Sequence, residues 1–367
     1  MKSKVLLSIL CGMFLLGEIP NLREYAEKLC YPAMFYAVGG QTEWDWNEII
    51  VKRILPLYAY MSENTPPEAE VEDSFTYEMI LAQQENDEYT MSEDLETVTQ
   101  QEKPVQPIQN LQTSTVSIEK LRDFNYLLSN YYTVDSTTTI GPDQLNVDDL
   151  LGRDMKINNQ KKGPKILIFH THSQEAFKDS VTGDSNTSIV GMGRYLSELL
   201  NAKGIETLHH NGVYDLINGK LDRSKAYQMA ETGVKEILNQ NPSIEVVIDL
   251  HRDGVPETTH LVTEVNGKQT GRIMFFNGLS RTKKNGNIEY LKNPYIQDNL
   301  SFSFQMQMAA DKLYPGLTRR IYLKGYRYSL HMMPKSLLIE AGAQNNTVEE
   351  MKNSMELLAN ILVEVLL

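Results

Sequence analysis

The chain has 367 residues, enough for one large domain or two smaller ones, and a formal charge of −13 that argues against a general attraction to nucleic acid or to anionic lipid. Its two cysteines, Cys11 and Cys30, build neither a disulfide framework nor a cysteine zinc site, so any bound metal must rest on histidine and carboxylate.

Lys2 and Lys4 precede the apolar run "VLLSILCGMFLLG". The run has the length of a secretory h-region and is short for a membrane-spanning helix, which takes about 20 residues. No small-x-small cleavage site follows, and Leu10 stands where a lipoprotein site wants a small residue before Cys11. Residues 1–21 therefore read as a signal or an uncleaved membrane anchor, with a buried helix as the plainer alternative. Residues 22–61 carry helical periodicity and several aromatics, which predicts a small helical region near the membrane. Residues 62–116 are acidic and rich in Pro, Gln and Thr. With few large apolar residues they cannot offset chain entropy, so the reading is a disordered linker.

From Ile118 the composition becomes globular, and residues 117–367 are taken as one domain. "KILIF" is a continuous apolar run of the kind found in strands covered on both faces. In "SIVGMGRYLSELLNAKG", Ile189, Met192, Leu196 and Leu199 recur at helical spacing and Gly204 is a C-cap candidate. "IETLHH" predicts a short strand, "DRSKAYQMAETGVKEILNQNP" a helix stopped at Asn241-Pro242, and "IEVVIDL" a second buried strand. Near the end, "KSLLIEAG" predicts a strand and "NTVEEMKNSMELLANILVEVLL" a helix, with Thr347 and Glu350 as its capping box. This alternation predicts an α/β fold with a mostly parallel sheet and helices on both faces.

Ligands in such sheets bind at the carboxyl ends of strands. Three predicted strands end in ionisable residues: His170-Thr171-His172, His251-Arg252-Asp253 and Glu340-Ala341-Gly342. The topology brings these ends to one edge. A hydrolytic zinc site accounts for the pattern, since catalytic zinc takes three protein ligands from His and Asp/Glu and leaves a position for water. His172 and Glu175, three residues apart, and His251 from another strand then supply the ligands. Glu340 is left as general base.

At these residues the chain resembles the stage II sporulation protein P family, within the broader group of zinc N-acetylmuramoyl-L-alanine amidases. The resemblance runs from about Ile118 to Leu367 and is carried by "YYTVDSTT", "ILIFHTHSQEAFKDS", "VVIDLHRDG" and "LLIEAGAQNNTVEE". It implies a zinc peptidoglycan hydrolase that cleaves the muramoyl–L-alanine amide, with endopeptidase cleavage of stem-peptide cross-links in some members. It also implies an exported, membrane-anchored enzyme at the sporulation septum, acting in engulfment with homologues of stage II sporulation proteins D and M. It places the second zinc histidine at His251 and the catalytic glutamate at Glu340. Two departures stand out. Many amidases carry the zinc glutamate further along, where "TGDSNTSIVG" offers only Asp184, so Glu175 takes the role with Asp184 as the weaker candidate. A Tyr-Asn-Gln-like run is replaced by "YRYSLHMM" at 326–333.

Plainer readings stand beside these. His170 is either a direct ligand or a residue that braces the site. His209 and His210 read as solvent-facing at a strand end, and His260 and His331 as structural. Arg252 either pairs with Asp253 or Asp249 as a fold contact or serves catalysis by holding substrate or a developing oxyanion. Asn345 and Asn346 read first as a turn and helix entry and second as substrate-binding residues. A zinc carboxypeptidase-like hydrolase and a non-catalytic septal scaffold remain as alternative functions.

Overall fold

The computed structural model describes residues 116–158 and 160–367. The expectations for residues 1–21, for 22–61 and for the linker up to residue 115 lie outside the described residues. Among the described residues, no helix is long and apolar enough to cross a membrane.

Helices α1 (Ile118–Leu121) and α2 (Phe124–Tyr131) lead into strand β1 (Tyr132–Val134), and α3 (Val147–Gly152) precedes β2 (Ile166–Phe169). Helix α4 (Ile189–Ala202), strand β3 (Thr207–His209) and the small hairpin β4 (Leu216–Ile217) and β5 (Lys220–Leu221) follow. Then come α5 (Ala226–Gln240), β6 (Val246–Asp253), the hairpin β7 (Val262–Val265) and β8 (Lys268–Gly271), and β9 (Ile273–Gly278). The short pair β10 (Arg281–Thr282) and β11 (Gly286–Asn287) precedes α6 (Ile296–Leu313), β12 (Ile321–Lys324), β13 (Ser336–Ala343) and α7 (Val348–Leu366).

Seven strands form one sheet in the order β1-β12-β9-β13-β6-β2-β3. Only the β13/β9 pairing is antiparallel; the others are parallel. The sheet is therefore two parallel blocks running in opposite directions and joined at β13/β9. The carboxyl ends of β2, β6 and β13 meet at one edge, as expected, and β9 and β12 begin there.

Helices cover both faces. On one, Ile166, Ile168, Val246 and Ile248 pack with the buried residues of α4, α6 and α7. On the other, Leu167, Phe169 and Val247 pack on Ala226, Ala230 and Val234 of α5. In α4 the buried stripe is Ile189, Met192, Leu196 and Leu200, whereas Leu199 is only partly buried. Gly204 has φ +85 beyond the end of α4, a conformation that costs glycine least. The capping box of α7 is present, with Thr347 accepting from Glu350 N–H and Glu350 reaching back. Helix α6 had no counterpart in the sequence reading. It is buried almost all round, so Ser301 and Ser303 are as covered as Phe302 and Phe304 and no amphipathic stripe marks it.

The segment after β12 is pinned to α5. Arg327 Nη2 donates to Glu231 Oε2 at 2.9 Å, and His331 Nε2 lies 3.0 Å from Glu231 Oε1. Burial by itself would raise the Glu231 carboxyl, but His331, Lys235 and Arg327 outweigh it and hold it down at about 2. A depressed folded-state value stabilises above the unfolded value and is lost as pH falls through the folded one. Glu231→Gln is therefore expected to destabilise the protein by about 1–2 kcal/mol at pH 7. In urea unfolding the difference from wild type should narrow as pH falls from about 4.5 towards 2. A gap that stays constant over that range would show that the charge of Glu231 is not what stabilises this contact.

Candidate functional site

The apolar strand β2 stops at Phe169 and His170-Thr171-His172 turn out of the sheet. The next residues form a loop, not a helical turn. Asp215, fully buried, accepts from Ser173 Oγ at 2.7 Å and from Gln174 N–H at 3.0 Å. That staple returns Glu175 to the sheet edge, where its Oε2 accepts the backbone N–H of Arg252 at 2.8 Å. Its Oε1 then lies 3.4 Å from His172 Nδ1 and 3.8 Å from His251 Nδ1. One ligand atom from each of His172, Glu175 and His251 falls within 4.8 Å of the others. Zinc ligands at about 2 Å in a tetrahedron stand roughly 3.3 Å apart, so the spacing is close to that of a metal shell. Two imidazoles and a carboxylate are a zinc-type donor set, and His172 Nε2 is buried without a hydrogen-bond partner. The residues present fit the metal.

The charges are arranged for a cation. Burial alone would raise Glu175, but hydrogen bonds from His172 and His251 hold it well below the carboxylate range. Burial would also favour neutral His251, yet the charge and hydrogen bond of Asp249, with Glu175, hold its proton on well above the ordinary imidazole value. His172 is lowered, chiefly by burial. The extra proton of His251 therefore sits on Nδ1 and faces Glu175, the position a bound cation would take instead. His251 Nε2 bonds Asp249 Oδ1 at 2.8 Å, which leaves Nδ1 towards the cluster.

Glu340 stands beside His251 in the parallel register of β13 and β6, on the same face of the sheet. Its Oε2 is buried with no partner. Burial first, then the charges of Asp253 and Glu175, push its carboxyl up to about 8 against the opposing effect of His251 and Arg319. The strand does not end there, as the sequence suggested, but continues through a bulge to Ala343. Gly342 makes the bulge at φ +62, where a Cβ would meet Met351 Sδ at 2.4 Å.

His170 is outside the cluster. Its Nδ1 bonds Leu250 O at 2.7 Å and its Nε2 bonds His209 Nε2 at 2.9 Å, so both nitrogens are used in bracing β2 against β6 and β3. His209 is not solvent-facing: it is partly buried and paired with His170, because α4 covers this edge of the sheet. His210 is partly buried and holds Tyr214 OH at 2.6 Å. His260 pairs with Glu350 at 2.9 Å. Arg252 turns its guanidinium to the carbonyls of Ala176 and Asp253, a contact within the fold. Asn345 donates to the carbonyls of Pro256 and Thr259, and Asn346 joins Ala343 N–H to Glu350, so both brace the turn into α7. Asp184 caps the short 3-10 turn at Ser185–Thr187 and is exposed.

Three residues near the cluster had no place in the sequence reading. Tyr227, in the first turn of α5, meets His172 edge-on at 5.5 Å and lies parallel to His251 at 6.5 Å. Arg223 Nη2 is 3.8 Å from Glu175 Oε1. Ser329 donates to Asp249 from the segment after β12. Asp249 itself was legible, since it lies two residues before His251 in the same strand and so on the same face. Tyr227, Arg223 and Ser329 carried no local signal.

A mixed α/β domain thus brings a His–Glu–His group that could hold a metal, and a glutamate with one buried, unpartnered oxygen, to one sheet edge. The chain belongs to the Stage II sporulation protein P (SpoIIP) family, whose model matches residues 47–363. Stage II sporulation protein P of Bacillus subtilis (strain 168) is 25% identical over 231 residues, covering 57% of this chain and 54% of that protein, so the chain spans about half the length of this relative. Among solved structures, the N-acetylmuramoyl-L-alanine amidase AmiC2 of Nostoc punctiforme is 13% identical with a TM-score of 0.32, covering 56% of this chain and 98% of its own. An N-acetylmuramoyl-L-alanine amidase from Clostridium difficile 630 is 15% identical with a TM-score of 0.33, covering 56% and 95%. The CwlD amidase of Clostridioides difficile, in complex with the GerS lipoprotein, is 17% identical with a TM-score of 0.32, covering 55% and 99%. These three likenesses are slight.

The brace behind the cluster is tight. A Cβ at Gly193 of α4 would lie 2.4 Å from His170 Nε2 and 2.8 Å from His209 Nε2. Exchanging glycine for alanine inside an open helix stabilises by about 1 kcal/mol. Here the His170 ring is held at both nitrogens and cannot yield cheaply, so Gly193→Ala is expected to destabilise by about 1–3 kcal/mol in urea unfolding. A stabilised variant would show that the two histidines are free to move.

Proposed function

We propose that residues 117–367 form a zinc-dependent peptidoglycan hydrolase domain that cleaves the amide between the muramoyl lactyl group and L-alanine, with endopeptidase action on stem-peptide cross-links as a second activity. The observation that carries this reading is the convergence of His172, Glu175 and His251 beside the unpartnered Glu340, in a chain of the stage II sporulation protein P family. The family setting extends the proposal: an exported enzyme, anchored in the membrane through its N-terminus, working at the sporulation septum during engulfment with homologues of stage II sporulation proteins D and M.

His172, Glu175 and His251 would hold the metal. When bound, zinc supplies Lewis-acid polarisation of the scissile carbonyl and makes water more acidic. Glu340 accepts a proton from the attacking water and returns it to the departing amino group of L-alanine, so the carboxyl ends each cycle as it began. The position of Glu340 suits this exchange, because it is on the face of His251 and no protein group claims its Oε2. Tyr227 stands beside both imidazoles of the cluster, edge-on to His172 and parallel to His251. Arg252, with its guanidinium engaged by two carbonyls, steadies the strand end next to Glu175.

Mass spectrometry of muropeptides after digestion of purified wall by the full-length protein tests the reaction: an amidase leaves muramic acid free of peptide, and intact muramoyl–L-alanine throughout would overturn the reading. His172→Ala is expected to lose zinc, while a folded His170→Ala keeps it. Zinc analysis showing the reverse would exchange the two assignments. Glu340→Gln keeps shape but cannot take a proton, so the variant should fold, retain zinc and lose ~10²-fold or more of activity. Loss of zinc from that variant would make Glu340 a ligand, and full activity would end its role as base.

A further inference from the structure

The proposed metal site has a support that lies outside its ligands. Asp249 is buried in the middle of β6 and four donors converge on it. Its Oδ1 accepts the Thr171 N–H at 2.9 Å and His251 Nε2 at 2.8 Å. Its Oδ2 accepts Thr171 Oγ at 2.7 Å and the hydroxyl of Ser329. A carboxylate offers about four acceptor positions and no donor. With all four in use, His251 can meet Asp249 only as an N–H donor at Nε2. Nδ1 is thereby left for the side of the ring that faces Glu175, where its lone pair becomes available to a metal that displaces the proton.

We infer that Asp249 is a positioning residue that fixes the tautomer and the ring orientation of His251, and that Thr171 and Ser329 hold Asp249 for that task. The inference rests on the metal reading above. It explains why two distant segments end on one carboxylate: Thr171 lies between His170 and His172 in the loop after β2, and Ser329 comes from the segment after β12. A carboxylate that orients a ligating imidazole in this way also raises its basicity towards the metal. Tyr227 lies parallel to the His251 ring, and the bond to Asp249 holds the ring against rotation about its Cβ–Cγ bond, which would exchange the nitrogens for ring carbons.

The test is zinc affinity of the full-length protein by competition with a chromophoric chelator, alongside unfolding of the zinc-free protein. Asp249→Asn keeps the volume but offers only one acceptor oxygen and adds a donor. It is expected to raise the zinc Kd by about 10–100-fold, the usual effect of losing such a partner. The long-range 1H–15N spectrum of the zinc-loaded protein should show His251 protonated at Nε2 in wild type and a mixed or reversed tautomer in the variant. Should Asp249→Asn fail to fold, Ser329→Ala and Thr171→Val leave the carboxylate in place and remove one donor each; both should weaken zinc binding several-fold while zinc-free stability stays closer to wild type. Wild-type zinc affinity in folded Asp249→Asn, or in both holding-residue variants, would overturn the inference. A folded wild-type protein that binds no zinc would instead overturn the metal reading beneath it, and the two failures are distinguished by the wild-type titration alone.

Discussion

Register between β2, β6 and β13 governs everything at the sheet edge. Phe169 pairs with Asp249, Leu338 pairs with Asp249 from the other side, and Glu340 pairs with His251. Because side chains alternate with a period of two, these pairings put Asp249, His251 and Glu340 on one face and in one row. A slip of a single residue in β13 would move Glu340 to the opposite face. Packing on both faces opposes it: Ile168, Ile248 and Ile339 fit one helical layer, Leu167, Phe169 and Val247 fit the other, and a slip would exchange the side chains each layer meets. Hydrophobic packing thus sets the position of the acids and bases, and hydrogen bonds then refine it.

Three carboxyl groups share this small volume, and each is kept there by different means. Asp249 is ionised because donors surround both oxygens. Glu175 is ionised because two imidazoles and a backbone N–H face it, with Arg223 nearby. Glu340 has an unpartnered oxygen and two like charges near it, so it keeps its proton most readily. Burying an ionised carboxylate without partners costs several kcal/mol, and the chain meets that cost for two of the three. Three carboxyls of the same chemistry are thus driven apart by their surroundings alone.

How far this was legible in the sequence follows from the same physics. "KILIF", "IEVVIDL" and "KSLLIEAG" are continuous apolar runs, so strands buried on both faces announce themselves, and the acids and histidines at their ends fall on one sheet edge. The capping box at Thr347 is local chemistry and needed no tertiary context. Helix α6 was not legible, because a helix buried on every side loses the polar stripe that marks a helix. The reversal of β9 against β13 was not legible either, since strand direction is chosen by the crossover and by the neighbours that cover it. His209 looked like a residue at an exposed strand end. Only the packing of α4, with Gly193 against both rings, makes that position an interior one. Arg252 shows the opposite limit: its neighbour His251 faces the cluster, so alternation alone turns the arginine away from it.

The segment 326–333, where "YRYSLHMM" departs from the run expected at this place, shows how distant contacts converge on the site. Tyr328 holds φ at +50, an unfavourable conformation for a bulky side chain. Its ring is fixed edge-on to Tyr227 at 5.4 Å and to Phe276 at 4.8 Å, so the aromatic packing of α5 and β9 offsets the backbone cost. Arg327 on one side of it is tied to Glu231, and Ser329 on the other side reaches Asp249. The left-handed turn at Tyr328 directs the chain so that consecutive residues serve a helix surface, an aromatic cluster and a buried carboxylate. An extended backbone at that residue would carry Ser329 away from Asp249, which would leave one lone pair of the carboxylate unmatched and His251 less firmly held. The strain at one residue and the orientation of an imidazole on another strand are therefore parts of one mechanical arrangement.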